Sequence, residues 1–254
     1  MFDLLKNRLE QGYRTTAYPK EPISLPKPYR GKPFFHEHCD MELITECIES
    51  CPQKALHFSK EKGPSLDMGK CVFCGQCERV SKKKWITFTT NFELGVTQKD
   101  HLVTNGQIPD IKQDVNNKFK KLFGRSLQLR QVSAGGCNAC EADVNVLNTP
   151  FFDLSRFGIS FVASPRHSDG ILVTGPIPKN MKTALLETYA AIPSPKLVIA
   201  VGSCALSGGP FFGSPEITAP LDNLLPVDLF IPGCPPHPLT ILHALLGYFN
   251  KLGL

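Results

Sequence analysis

The chain has 254 residues, 42% of them hydrophobic, and a formal net charge of +5. That length suits one large or two small domains, the apolar share excludes wholesale disorder, and so mild a charge gives no argument for a nucleic-acid partner. The cysteines are the informative count: Cys39, Cys47, Cys51, Cys71, Cys74, Cys77, Cys137, Cys140, Cys204 and Cys234. The opening run MFDLLKNRLEQGYRTTAYPKEP holds neither an apolar export core nor a twin-arginine pair. Thiols kept in a reducing compartment are therefore expected, and these are more often metal ligands or catalytic groups than disulfide partners.

Residues 1–38 read as an extended lead-in that opens with a short amphipathic helix over Phe2–Gln11. Pro19, Pro22, Pro26, Pro28 and Pro33 follow, and such a stretch favours extended chain lying on a neighbour. Residues 39–90 hold six cysteines and show little regular pattern beyond strand-like runs at Ala55–Phe58 and Trp85–Thr89. A lobe so poor in core is expected to lean on a metal cluster. Residues 91–126 read as a linker, with Gln113–Phe123 as a basic amphipathic helix stopped at Gly124.

From 127 to 254 the texture changes. Strands are expected at Leu127–Val132, Ile159–Ala163, Gly170–Thr174, Lys196–Val201 and Val227–Ile231. Helices are expected at Asn138–Leu147, Asn180–Ala191 and Pro238–Leu252. This alternation predicts an α/β domain whose mostly parallel sheet is covered on both faces. No run approaches the roughly 18 apolar residues of a spanning helix, so membrane association is expected to be indirect, through partners.

Cys137 and Cys140, in GGCNACE, follow the first of these strands; Cys204, in VGSC, follows the fourth; Cys234, in IPGCPPHP, follows the fifth. One parallel sheet brings such strand ends to a single edge, where ligands bind. Four thiolates suit a cubane cluster or a structural zinc. Zinc sites more often pair two local CxxC units, and here one CxxC stands with two isolated cysteines. The plain alternative is buried thiols acting as small hydrophobes.

The N-terminal half carries Cys71-Val-Phe-Cys74-Gly-Gln-Cys77, a CxxCxxC spacing that points to a [4Fe–4S] cluster. A Cys–Pro pair supplies the fourth ligand in two-cluster ferredoxins, and Cys51-Pro52 suits that part. The other motif is incomplete. Cys39 and Cys47 are spaced two residues too far from the pattern, its middle cysteine is missing, and Ser81 stands where the last ligand belongs. Help from His36, His38 or Ser81 is one reading, and two leftover thiols of a decayed site the other. Lys82, Lys83, Lys84, Lys118, Lys120 and Lys121 lack interleaved aromatics, so no nucleic acid is expected.

The runs GGCNACE, PRHSDGILVTGP, VGSC and VDLFIPGCPPHP resemble the small-subunit family shared by [NiFe] hydrogenases and the 20 kDa subunit of respiratory complex I. The resemblance covers roughly Gln128–Leu246. It implies a flavodoxin-like domain with a proximal [4Fe–4S] cluster on Cys137, Cys140, Cys204 and Cys234. Cys137 and Cys140 are separated by two residues, as in the hydrogenase branch, whereas the complex I branch usually has adjacent cysteines there. Glu141 resembles an acid of the membrane-bound hydrogenases that assists proton movement; a helix N-terminal acid is the simpler reading. Pro165, Arg166 and His167 fall in a segment the family places near the large-subunit interface or cluster, and a plain turn is the alternative.

The stretch YPKEPISLPKPYRGKPF, the first cysteine runs and ELGVTQKDHLV resemble the ferredoxin-like subunit of formate hydrogenlyase. Together the resemblances imply a fusion: a small ferredoxin-like α+β domain at 39–90, then a hydrogenase small-subunit-like α/β domain at 127–254. Two [4Fe–4S] clusters would relay electrons to a hydrogenase large subunit similar to the complex I 49 kDa subunit. Further iron–sulfur and membrane subunits would complete the complex, peripheral on the cytoplasmic face of the membrane. Delivery of electrons to quinone, as in complex I, is the other functional reading. No catalytic acid–base constellation is evident in this chain.

Overall fold

The computed structural model describes residues 2–37, 40–111 and 126–252. The helix expected at Gln113–Phe123, together with His38 and Cys39, lies outside the described residues. Helix α1, Phe2–Gln11, matches the expectation and buries none of its residues. Strand β1, Pro33–Phe35, precedes α2, Met41–Glu49, whose Ile44 and Cys47 face the core. The hairpin of β2, Leu56–Ser59, and β3, Gly63–Asp67, comes next, then α3, Gln76–Val80, and β4, Ile86–Phe88. β4 returns antiparallel to β1. Both short helices and β3 go beyond the two strand-like runs that the pattern suggests.

Residues 91–111 are packed chain. β5, Val103–Thr104, pairs antiparallel with β3, Val96 bridges Phe230, and Leu94, Val96 and Leu102 are buried.

The C-terminal part follows its expected alternation closely. It runs β6 Leu127–Ser133, α4 Ala139–Val146, β7 Ile159–Phe161, β8 Gly170–Thr174, α5 Lys179–Ala191 and β9 Leu197–Val201. It ends with α6 Ser203–Ser207, β10 Leu229–Ile231 and α7 Pro238–Tyr248. The five strands are parallel in the order β7-β6-β8-β9-β10. Numbered within the sheet this is 2-1-3-4-5, the flavodoxin-like arrangement.

β8 and β9 are buried at every residue, which is why they read as unbroken apolar runs. Alternate residues serve two cores. Leu172, Ile199 and Ile231 pack with α7, which is buried along its whole length. Ile171, Val173, Val198 and Ala200 pack with Ile44, Leu66, Met68 and Trp85 of the N-terminal lobe. The lobe that holds the first cysteines is therefore seated on one face of the sheet that positions the others. Among the described residues, no helix is long and apolar enough to cross a membrane.

Candidate metal centres

β6, β9 and β10 are parallel and end at one sheet edge, and each delivers cysteines there. Cys137 lies in the loop after β6 and Cys140 in the first turn of α4. Asn138 makes the intervening turn with φ 71°, a left-handed conformation that Asn tolerates. Cys204 sits in the first turn of α6, and Cys234 follows β10. Burial raises Cys140, Cys204 and Cys234, and neighbouring thiols add to it: Cys204, Cys234 and Cys137 act at Cys140, Cys234 and Cys137 at Cys204, and Cys137 at Cys234.

Glycine makes room for the sulfurs. Gly202 has φ +87°, and a Cβ there would stand 2.5 Å from Cys140 Sγ, so a side chain at this position is excluded twice over. Cys140 and Cys204 are half-buried, whereas Cys137 and Cys234 are exposed, so the site opens at the surface. Burial, reinforced by neighbouring thiols and Glu141, pushes the Cys140 thiol far up and Cys204 up to about 11.

Glu141 is only 5% exposed. Its Oε1 accepts hydrogen bonds from Ser133 Oγ and Thr174 Oγ1, both at 2.7 Å. Burial raises its pKa, but these two hydroxyls and its own backbone N–H outweigh it and hold the carboxyl below the usual range. The carboxyl is thus held at the start of α4 by the two hydroxyls. Pro165, Arg166 and His167 form a short 3-10 turn on which Arg166 and His167 are exposed.

The second constellation lies inside the N-terminal lobe. Cys51, Cys71, Cys74 and Cys77 line one cavity together with the apolar side chains of Leu56, Leu66 and Phe88. Cys71 and Cys77 are buried, Cys51 is half-buried and Cys74 is exposed. Two backbone N–H groups already point at sulfur: Phe73 N donates to Cys71 Sγ and Ala55 N to Cys51 Sγ, each at 3.3 Å. Burial, offset by the Phe73 backbone at Cys71 and the Glu78 backbone at Cys77 and reinforced by the other cysteines, pushes the Cys71 thiol far up and Cys77 up to about 12.

Clustered thiolates repel one another, so thiols gathered this way give up their protons together only to a cation that compensates the charge. N–H donors aimed at sulfur are what bound thiolates require. Among the described residues, no group of three or more His, Cys, Asp or Glu side chains is disposed to hold a single metal ion. Each set brings four thiols, which is the donor number and chemistry of a [4Fe–4S] ligand set.

Cys47 behaves differently. It is fully buried in the core beneath α2, and its Sγ lies 3.7 Å from the Cys77 carbonyl. Ser81 is buried and donates to the Glu78 carbonyl at 3.3 Å, and His36 Nε2 lies 3.2 Å from Thr87 Oγ1. These residues have local partners instead of a common focus.

Arg30 carried no signal in the sequence. Its side chain crosses Gly75 so closely that a Cβ there would come within 2.3 Å of Nε. Its Nη1 reaches the Phe73 carbonyl at 3.4 Å and its Nε lies 3.8 Å from Glu78 Oε2. The lead-in thus closes over the CxxCxxC turn with a cation, and Gly75 in that turn is the only hint the sequence offers.

A family model described as NADH ubiquinone oxidoreductase, 20 Kd subunit, matches residues 137–248. The probable membrane-bound hydrogenase subunit mbhJ of Pyrococcus furiosus is 44% identical over 132 residues, which are 52% of this chain and 79% of that protein. Formate hydrogenlyase subunit 7 of Escherichia coli is 37% identical over 153 residues, 60% of this chain and 57% of that protein. An NADH-quinone oxidoreductase subunit from Carboxydothermus hydrogenoformans is 42% identical over 118 residues, 46% of this chain and 71% of that protein.

Proposed function

Because the chain belongs to the NADH ubiquinone oxidoreductase 20 Kd subunit family, and is thereby a redox subunit of a hydrogenase- or complex I-like assembly, we propose that it is the electron-relay subunit of a [NiFe] hydrogenase or formate hydrogenlyase-type complex. One observation carries this reading. Cys137, Cys140, Cys204 and Cys234 gather at one sheet edge, inside the segment that matches the family. The relatives named for hydrogenase and formate hydrogenlyase subunits support the choice of complex.

A [4Fe–4S] cluster bound at each set would supply one-electron transfer at low potential. The chain's own residues do the rest. Cys51, Cys71, Cys74 and Cys77 form the inner set, where Leu56, Leu66 and Phe88 exclude water and the Phe73 and Ala55 N–H groups stabilise thiolate. Cys137 and Cys234 form the exposed rim of the outer set. That rim is where a large subunit bearing the nickel–iron centre would cover the site. The N-terminal lobe then serves as a ferredoxin-like module fused to the small-subunit domain, and further iron–sulfur and membrane subunits hold the assembly on the cytoplasmic face of the membrane.

The test is the purified complex. Hydrogen evolution from a reduced low-potential donor is expected, lost when cells are grown without nickel and lost in Cys204→Ala. Turnover that persists without nickel, or quinone reduction with no hydrogen chemistry, would contradict the proposal.

A further inference from the structure

The two cysteine constellations meet through one short helix. α6 carries Cys204 together with Ser203 and Ser207. Residues four apart lie on one side of a helix, so the two serines share a face. Ser203 is 1% exposed. Its Oγ donates to the Cys71 carbonyl at 2.7 Å and lies 3.1 Å from the Gly233 carbonyl. Its backbone N–H donates to that same Gly233 carbonyl at 2.9 Å. A hydroxyl has one proton to give. Gly233 is served by the N–H, and the shorter contact assigns the hydroxyl proton to Cys71.

Ser207 repeats the contact one turn later. Its Oγ lies 2.9 Å from the Gly69 carbonyl and 3.0 Å from the Ser203 carbonyl, and it accepts from the Gly209 N–H at 3.2 Å. The stretch Gly69–Cys71, which leads into the CxxCxxC run, is therefore fastened to the helix that carries a thiol of the other set.

We propose that Ser203 is a positioning residue that couples the two sites, holding the Cys71 loop in ligand geometry from within the helix of Cys204. The inference rests on reading both sets as cluster ligands. Its physical content is electrostatic as well as mechanical. The Cys71 carbonyl belongs to a buried ligand, and in a low-dielectric setting its negative end acts strongly on nearby charge. The serine proton offsets that negative end. Without it, the carbonyl is left short of a donor and adding an electron beside it becomes less favourable.

The experiment compares the full chain with Ser203→Ala, Ser203→Thr and Ser203→Cys, by EPR-monitored redox titration and by extraction of iron with a chelator. In Ser203→Ala the inner site is expected to titrate at lower potential, and its iron to leave about tenfold faster, the scale of one lost buried hydrogen bond. Ser203→Thr keeps the hydroxyl and should restore both readouts. Ser203→Cys, a weaker donor, should fall between and decides the matter if the alanine variant does not fold. Iron-loaded wild type with an unshifted potential and unchanged extraction in Ser203→Ala or Ser203→Cys overturns the coupling alone. Wild type without iron overturns the underlying reading, and the coupling with it.

Discussion

Cys71, Cys74 and Cys77 lie on one continuous run of chain, whereas Cys137, Cys140, Cys204 and Cys234 come from three separate segments, in the loops or first helical turns after β6, β9 and β10. The first set is largely enclosed and the second has two exposed members. Their scaffolds differ in the opposite sense. The strands around the first set pair only in a two-stranded and a three-stranded antiparallel sheet. The second set stands on a five-stranded parallel sheet with buried cores on both faces. Where ligands are local in sequence, the scaffold is slight and a bound cluster would be part of what holds the lobe together. Where the thiols are scattered in sequence, a sheet buried on both faces holds their segments in place.

That contrast can be broken most forcefully by removing a ligand from each set. Cys71→Ala is expected to lose about four of roughly eight irons and, with them, hydrogen-exchange protection in α2, α3 and β1–β4. Cys137→Ala is expected to lose about the same iron while β8 and β9 stay protected. Equal loss of protection in the two variants would contradict the difference in scaffold.

Next in size are the packed side chains. Trp85→Ala empties a fully buried site against Phe35 and should cost about 3–5 kcal/mol in denaturant unfolding. A cost under about 1 kcal/mol would mean that the lobe draws little on its own core. Glu141→Gln should cost about 1–3 kcal/mol, because it replaces a charged acceptor of the Ser133 and Thr174 hydroxyls in a buried position. Its iron content should be unchanged, since the Glu141 Oε1 is engaged by the Ser133 and Thr174 hydroxyls.

The smallest effect depends on pH. In the iron-free fold, burial raises Cys77 from 9.0 to about 12 and Cys204 from 9.0 to about 11. Between those values the folded chain keeps protons that the unfolded chain has released. Stability therefore falls as pH rises from 9.0 toward 12. Thermal unfolding of stripped protein reads this slope, and iron-loaded protein, with its thiolates already formed, should lack it. A flat profile in the stripped protein would contradict the burial of these thiols.

Local signals carried much of this structure. The apolar runs of β8 and β9 and the cysteines placed just after strands were legible because burial on both faces and ligand position at a strand end each leave a pattern in neighbouring residues. The gathering of Cys51 with Cys71, Cys74 and Cys77 around one cavity follows from a spacing rule of the same local kind. α2 and α3 were not legible, because each is short and much of its sequence is charged or polar. Arg30 over Gly75 and Ser203 on the Cys71 carbonyl were illegible for a deeper reason. The latter pair is 132 residues apart, and neither residue carries a mark of its partner.

The central claim is one iron–sulfur cluster on each cysteine set. Iron and acid-labile sulfide analysis of the anaerobically purified full chain, with EPR after reduction, tests it most directly. About eight irons and eight sulfides per chain, with two reducible [4Fe–4S] signals, are expected. About four irons would leave one set without a cluster, about twelve would restore a site at Cys39 and Cys47, and zinc in place of iron would contradict the account altogether.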